Sequence, residues 1–245
     1  MKLSDDARKQ IERDHGRRII DKAPFFWGRN SQAGLRRLEN RINDLKSFFG
    51  PMESKTLLEL GCGTGLWTDY LAQTQASITA LDISKELLDR AQARLQNPRV
   101  RFLVGDAEQL PFPDESFDCV CGISVLHHLD VPKTLAEAYR TLKRGGRIWF
   151  SEPNMLNPQI MIQKNVPIIK RWAGDTPSET AFFRWSLAGQ FRAAGFRNVV
   201  VQPFDFLHPW LPDAWTGCMD SVGHTLEKTV LLREIAGSVY VHAEK

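Results

Sequence analysis

The sequence predicts an α/β protein with a parallel sheet that is covered by helices on both faces. After Pro51, short apolar runs alternate with segments of helical periodicity, which is typical of β-α-β units. The 245 residues are 42% hydrophobic and 25% charged, and a chain of this size can bury a core of its own. Strands are predicted over residues 56–60, 78–82, 101–104, 117–122, 147–151, 198–202 and 237–243.

Helices are predicted on both sides of Pro51. Leu35, Leu38, Ile42 and Leu45 recur at helical spacing and predict an amphipathic helix that ends near residue 50. Ser84 is a candidate N-cap for the helix that follows the second strand. The predicted helices cover residues 4–22, the segment up to residue 50, and residues 66–73, 85–95, 132–142 and 180–194, with Phe183, Leu187 and Phe191 on one face of the last.

Two segments, residues 153–179 and 203–235, interrupt the alternation. Both follow predicted strands and are longer than ordinary connections, and insertions of this kind often form substrate caps. The second contains Phe206 and Trp215, which are equally compatible with core packing.

Composition limits the class of protein. The sequence contains no run of about 18 apolar residues, so it predicts no membrane span. It also shows no apolar leader of the kind that directs secretion. The four cysteines fit neither a disulfide framework nor a zinc pattern, so we expect a cytoplasmic protein without a metal. The net charge is +3, yet residues 1–50 carry twelve basic and seven acidic residues. This basic segment is either a solvated helix face or a contact surface for an anionic substrate, RNA or membrane.

The first strand runs into a turn with glycines at 61, 63 and 65, and a helix follows. Ligands of open α/β sheets bind beyond the carboxyl ends of the strands, and glycine lets the backbone approach them. The third glycine comes one residue too early for a dinucleotide fingerprint, which favours a nucleoside ligand without a pyrophosphate. A tight packing turn would give the same residues.

Two aspartates follow the next strands. Asp82 ends the second strand, where a carboxylate can accept hydrogen bonds from both hydroxyls of a ribose. Asp106 follows the third strand and is a candidate acceptor for an adenine amine, with the Ala107 amide facing a ring nitrogen. The alternatives are a helix N-terminal charge and a local turn residue.

These residues belong to a series of five motifs, in an order that resembles the class I S-adenosylmethionine (SAM)-dependent methyltransferases. The resemblance is to the type 11 group, which includes ubiquinone and menaquinone methyltransferases, and it covers residues 52–152. The motifs are E-L-G-C-G-T-G at 59–65, L-D-I-S at 81–84, G-D-A-E-Q-L-P-F-P-D-E-S-F-D at 105–118, V-L-H-H-L at 125–129 and L-K-R-G-G-R at 142–147.

The resemblance implies a Rossmann-like, doubly wound sheet of seven strands in the order 3-2-1-4-5-7-6, with the last strand antiparallel. It also implies SAM as the cofactor. Glu59 would orient the methionine ammonium, the turn at Gly61, Cys62, Gly63 and Gly65 would pass under the methionine, and Asp82 would hold the ribose. Ile83, Asp106 and Ala107 would contact the adenine, and the backbone of Gly122 and Ile123 would meet the amino group.

His127 and His128 follow the fourth strand and are candidate general bases, although either could simply pack or line the pocket. We expect residues 1–50 to form an N-terminal helical lid on a SAM-binding domain of residues 51–245, with caps near 153–179 and 203–235. Candidate substrate contacts are Trp27, Glu152, Asn154, His208 and Trp210.

The predicted activity is methyl transfer to the oxygen, nitrogen or carbon of a small molecule. One alternative is an RNA or protein methyltransferase that uses the basic N-terminal segment, although no N-P-P-Y or D-P-P-Y tetrapeptide follows the fourth strand. Another is a dinucleotide oxidoreductase or a non-catalytic nucleoside-binding module. The oligomeric state is left open, with a homodimer as one option.

Overall fold

A computed structural model describes residues 4–20, 31–209 and 211–245 of the chain. Its sheet has seven strands in the order β3-β2-β1-β4-β5-β7-β6. Strands β1 to β5 pair in parallel, and β7 runs antiparallel to both β5 and β6. The predicted order and antiparallel last strand are therefore confirmed. The strands are β1 (Thr56–Leu60), β2 (Ser77–Asp82), β3 (Val100–Val104), β4 (Phe117–Ile123), β5 (Leu142–Pro153), β6 (Arg197–Phe204) and β7 (Ser238–Glu244).

Nine α-helices lie in the described part of the chain. The six predicted helices are all present, and Ser84 caps the predicted helix by accepting a hydrogen bond from the Leu87 amide. The α-helices are α1 (Asp5–Ile19), α2 (Gln32–Phe49), α3 (Leu66–Ala72), α4 (Lys85–Arg94), α5 (Val131–Thr141), α6 (Pro158–Asn165), α7 (Pro167–Trp172), α8 (Arg184–Ala193) and α9 (Thr216–Glu227).

The predicted helix over residues 180–194 begins later than expected. Phe182 bridges to Asn154, and Phe183 is the extended residue that precedes α8. Leu187 and Phe191 lie on the buried face of α8, whereas Phe183 precedes the helix and is exposed, so the three do not share one helix face as predicted. Extended pairing at Phe182 delays the helix because a residue in a β-bridge cannot also have helical dihedral angles.

The core occupies both faces of the sheet. On β4, Cys119 and Cys121 pack on the face covered by α2 and α3, whereas Val120 packs on the other face with α5 and α8. All three are buried, as expected for a central parallel strand. No helix among the described residues is long and apolar enough to cross a membrane.

Candidate active site

A cavity of about 380 Å³ lies at the carboxyl ends of the central strands, beneath helices α1 and α2. Its floor comes from the turns that follow β1, β2, β3 and β4, and α1 and α2 cover it. The volume is typical of small-molecule sites, which span about 300–1,000 Å³. None of the described residues of 203–235 lines this cavity. That segment instead supports α2, because Asp205 binds Arg37 and Arg41.

The three glycines of the first turn have different roles. Gly61 and Gly63 line the cavity, and both have positive φ angles, of 68° and 54°. A Cβ at Gly61 would lie 2.3 Å from Val125, so this position accepts only glycine without rearrangement. Gly65 is not among the lining residues, and a Cβ there would lie 2.9 Å from the Cβ of Ala91 in α4. Cys62 lines the cavity beside them.

Asp82 lies at the end of β2 with its side chain against the first turn. Its Oδ2 accepts a hydrogen bond from the Gly63 amide and its Oδ1 accepts one from the Ser84 amide, each at 2.8 Å. Burial raises the pKa of Asp82, and these amide hydrogen bonds oppose the effect. Each carboxylate oxygen has a second lone pair, so Asp82 can still accept hydrogen bonds from a ligand in the cavity.

The predicted adenine contacts lie on the next wall. Ile83, Asp106 and Ala107 all line the cavity. The Asp106 carboxylate also lies 2.6 Å from the Lys9 ammonium of α1. Helix α1 therefore reaches this wall of the cavity.

Glu59 and Gly122 lie behind the cavity wall. Glu59 is buried and accepts a hydrogen bond from the Thr68 hydroxyl at 2.7 Å. Burial, together with the charge of Asp82, raises its pKa to about 7. Gly122 packs so closely that a Cβ would lie 2.5 Å from the Phe150 ring, while the next residue, Ile123, lines the cavity.

Comparison with known proteins identifies the family. The family model described as "Methyltransferase domain" matches residues 58–150. The chain is 33% identical over 174 residues to demethylmenaquinone methyltransferase of Lactiplantibacillus plantarum, a match that covers 61% of this chain and 73% of the relative. The chain belongs to the SAM-dependent methyltransferase family.

Other relatives are covered less completely. The chain is 37% identical over 145 residues to the biotin biosynthesis bifunctional protein BioHC of Teredinibacter turnerae, a match that covers 53% of this chain. It spans only a quarter of that relative's length. Among solved structures, a SAM-dependent methyltransferase of Thermotoga maritima, titled a possible histamine N-methyltransferase, superposes with a TM-score of 0.67 and 22% identity. That likeness covers 93% of this chain and 97% of the other, and it shows the fold.

The two adjacent histidines of the chain have different surroundings. His128 lines the cavity, and its Nδ1 lies 2.9 Å from the Glu12 carboxylate of α1. Burial opposes protonation of His128, but the contacts with Glu12 and Glu179 raise its pKa above the ordinary value. His127 is not among the lining residues. Its Nδ1 lies 2.7 Å from Glu152, and burial lowers its pKa.

His127, His128 and Glu179 could together hold a metal ion, since one potential ligand atom of each lies within 4.8 Å of the others. Glu179 already binds the Lys164 ammonium at 2.9 Å and accepts a hydrogen bond from the Thr176 amide. A metal ion would have to share this carboxylate with Lys164.

The predicted substrate contacts among the described residues, Glu152, Asn154 and His208, do not line the cavity. Glu152 is fully buried and accepts hydrogen bonds from the Val125 and Leu126 amides, so it holds the turn that carries the histidines. Asn154 is buried too and donates to the Glu234 and Ala236 carbonyls. His208 lies 3.0 Å from the Gln159 side chain, outside the lining residues. Trp27 and Trp210 lie outside the described residues.

Sequence reasoning missed the polar residues that the helices supply. Glu12 of α1 and the arginines Arg37 and Arg41 of α2 line the cavity, and Glu179 contacts His128 from behind. The only signal for Arg37 and Arg41 was their spacing of four residues on one helix face.

Proposed function

We propose that this enzyme transfers a methyl group from SAM to a small-molecule acceptor by in-line displacement. The observation that carries the proposal is the single cavity into which the glycine turn, Asp82, Asp106 and His128 all open. The groups predicted to bind an adenosyl ligand line one side of the cavity, and the titratable side chain of His128 lines the same cavity.

The lining residues fit SAM. In this proposal Asp82 accepts hydrogen bonds from the ribose hydroxyls, and Ile83, Asp106 and Ala107 contact the adenine. The backbone of Gly61, Cys62, Gly63 and Ile123, backed by Gly65 and Gly122, meets the methionine part, and Glu59 orients its ammonium through the turn.

Arg37 and Arg41 would bind the methionine carboxylate. Both guanidinium groups contact the Asp205 carboxylate, at 2.7 and 2.6 Å, so a single anion neutralises two cations. This leaves positive charge beside the cavity for a second carboxylate, and guanidinium groups bind carboxylates with good geometry.

The chain contributes to the reaction mainly by orientation. SAM, when bound, supplies an electrophilic methyl group, and an acceptor held on its axis can gain roughly 7–11 kcal/mol over reaction in solution. Helices α1 and α2 line the cavity opposite the strand ends and would shield a bound ligand from water. We infer that His128, rather than His127, accepts a proton at its ring nitrogen when the acceptor must lose one, with Glu12 stabilising the imidazolium.

The basic N-terminal segment gives little support to an RNA substrate. Arg8, Lys9 and Arg17 of α1 pair with Glu108, Asp106 and Glu86 of the main domain. Their charges hold the helix in place and are less available to phosphates. By its name, the Lactiplantibacillus relative acts on demethylmenaquinone, which is neither RNA nor protein. Family membership favours methyl transfer over the oxidoreductase and the non-catalytic module.

The first experiment combines binding with transfer. We expect calorimetry to detect S-adenosylhomocysteine (SAH) but not NAD, and Asp82→Ala to weaken SAH binding by about 1.5–3 kcal/mol, as for hydrogen bonds to a charged group. The exposed Asp89 of α4 provides the control, Asp89→Ala. Unchanged affinity in Asp82→Ala would contradict the ribose assignment.

The acceptor class is tested with labelled SAM and a cell extract separated into metabolite, RNA and protein fractions. We expect the wild-type enzyme to label a molecule in the metabolite fraction, and Asp82→Ala to label far less of it. Label confined to RNA or protein would contradict the proposal.

A further inference from the structure

Helices α6 and α7 form a hairpin that buries none of its apolar residues. Ile168 and Trp172 are the most exposed of its large apolar side chains, at 79% each. Apolar surface of this extent on a folded chain usually marks an interaction site. The exposed large apolar residues of the hairpin are Met161, Ile162, Val166, Ile168, Ile169 and Trp172.

Two other segments place exposed apolar side chains beside the hairpin. The Asn157 side chain donates to the Ile235 carbonyl at 2.9 Å, and Arg184 binds Glu234 at 2.8 Å. These bonds hold residues 183–185 and 230–235 against the base of the hairpin. Their exposed apolar residues are Phe183, Trp185, Val230, Leu231, Leu232 and Ile235, with Leu231 at 82%.

We call residues 158–172, 183–185 and 230–235 together the apolar platform. Of the seventeen large apolar side chains that are exposed in the described part of the chain, twelve belong to it. This concentration distinguishes the platform from the scattered apolar residues that any protein surface carries.

The platform is also basic. Residues 158–172 contain no acidic residue, and their basic residues are Lys164, Lys170 and Arg171. The Lys164 side chain is buried and pairs with Asp175 and Glu179, so the basic charge of the hairpin surface comes from Lys170 and Arg171. Arg171 forms no salt bridge with any described residue, so its charge is available to a partner. The platform's other charged residues are Arg184, Arg233 and Glu234.

We propose that the apolar platform docks this protein on the surface of a membrane that contains anionic lipids. Tryptophan and isoleucine side chains enter the boundary between head groups and acyl chains, and nearby Lys and Arg bind lipid phosphates. The charge favours this partner over a second copy of the chain. A two-fold interface would bring the same basic surface against itself, and like charges would repel.

The platform lies near the cavity through a short chain of contacts. Lys164 of the hairpin binds Glu179, and Glu179 lies 3.8 Å from the ring of the cavity-lining His128. This part of the inference rests on the proposed function, since docking would bring the cavity close to a lipid-like acceptor in the membrane.

Sedimentation with lipid vesicles tests the docking without any substrate. The full chain is mixed with vesicles of phosphatidylcholine alone or of phosphatidylcholine and phosphatidylglycerol in equal amounts. We expect binding to the anionic vesicles, reduced about fivefold in Arg171→Gln because one basic residue near such a surface contributes about 1 kcal/mol. The double variant Ile168→Ser/Trp172→Ser should lose at least about tenfold in partitioning.

Trp215→Ser supplies the matched control, because Trp215 is exposed but lies outside the platform. It should partition like the wild type, and circular dichroism should show that every variant is folded. SAH calorimetry on the same samples keeps this test separate from the proposed function. Absence of vesicle binding, equal partitioning of wild type and double variant, or a wild-type dimer that the double variant dissociates without any vesicle binding would each overturn the docking.

Discussion

Glu59 is a carboxylate that the fold buries at a cost. It is 3% exposed, and its one hydrogen-bond donor among the described side chains is the Thr68 hydroxyl. Burial raises its pKa to about 7 from an ordinary value of 4.5. The folded state therefore binds a proton more tightly than the unfolded state. The contribution of Glu59 to the free energy of unfolding is therefore most favourable below its ordinary pKa of 4.5. It becomes less favourable as the pH rises from there through about 7.

The first prediction follows from this loss of stability with rising pH. Glu59→Gln removes the titrating group, so the variant should gain on the order of 3 kcal/mol in free energy of unfolding at about pH 8, relative to wild type, and little at about pH 5. It should also bind SAH more weakly if Glu59 orients the ammonium. Urea denaturation at the two pH values measures the first effect and calorimetry the second.

The control for Glu59→Gln is Glu53→Gln, which changes an exposed glutamate just before β1. It should alter neither the pH dependence of stability nor SAH binding. A Glu59→Gln variant that is destabilised to the same degree at both pH values would show that the carboxylate stabilises the fold.

The residues that the sequence could predict are those whose position follows from chain order. Asp82 and Gly63 each lie where a parallel strand ends, and parallel strands end at one edge of the sheet, so their meeting in the cavity follows from topology. Glu12 and Arg41 could not be placed in this way. Which face a helix turns toward a distant cavity depends on how the helix packs, and the sequence of α1 is too polar to show this.

At the scale of elements, α1 reaches the cavity because one glycine allows it to. Gly16 is buried against α4, and a Cβ there would lie 2.8 Å from the Ser84 hydroxyl. The helix therefore approaches the residues that follow β2 more closely than any larger residue would permit.

The second prediction is that Gly16→Leu displaces α1 from the cavity. We expect SAH affinity to fall by about tenfold or more, because α1 supplies several lining residues, while the free energy of unfolding changes little. Calorimetry and urea denaturation measure the two quantities.

Gly189→Leu is the matched control, since Gly189 is also helical and has no atom within 4 Å of a Cβ. Both substitutions raise helix propensity by a similar amount, so a loss confined to Gly16→Leu comes from the contact. Equal SAH affinity in the two variants would contradict the close packing of α1.

Helices and strands could be predicted where burial imposes a regular spacing of apolar residues on the sequence. The seven strands follow from continuous apolar runs, although β5 begins at Leu142, five residues before the predicted start, because the chain pairs across Gly145 and Gly146. Helices α6 and α7 escaped prediction because neither buries an apolar face, so neither has the pattern by which helices are recognised.

At the scale of the whole molecule, the attachment of α1 is mainly electrostatic. Arg8, Lys9 and Arg17 pair with the main domain, and Lys133 of α5 pairs with Asp5. The pairs of Arg17 and Lys133 are largely exposed and contribute about 0.2–1 kcal/mol each, whereas the Arg8–Glu108 pair is mostly buried. Helix α1 is therefore held by polar side-chain contacts and not by a share of the apolar core. A helix held in this way can open to admit a ligand and close over it.

The third prediction follows from mass action. A ligand that binds only when α1 is closed over it favours the closed form, so SAH at about 100 times its Kd should reduce the open population by about a hundredfold. Trypsin cleavage at Arg13, Arg17 or Arg18 should slow by at least about tenfold when SAH is added. Mass spectrometry of the fragments over time gives the rate at each site.

Two comparisons show whether the protection of α1 comes from SAH bound in the cavity. Cleavage at Lys228, which lies outside the cavity lining, should keep its rate when SAH is added. In Asp82→Ala, protection of α1 should require a higher SAH concentration, in proportion to the loss of affinity. If SAH binds by calorimetry and α1 is cleaved at the same rate with and without it, then α1 does not close over the ligand, and its contacts with the cavity serve the fold alone.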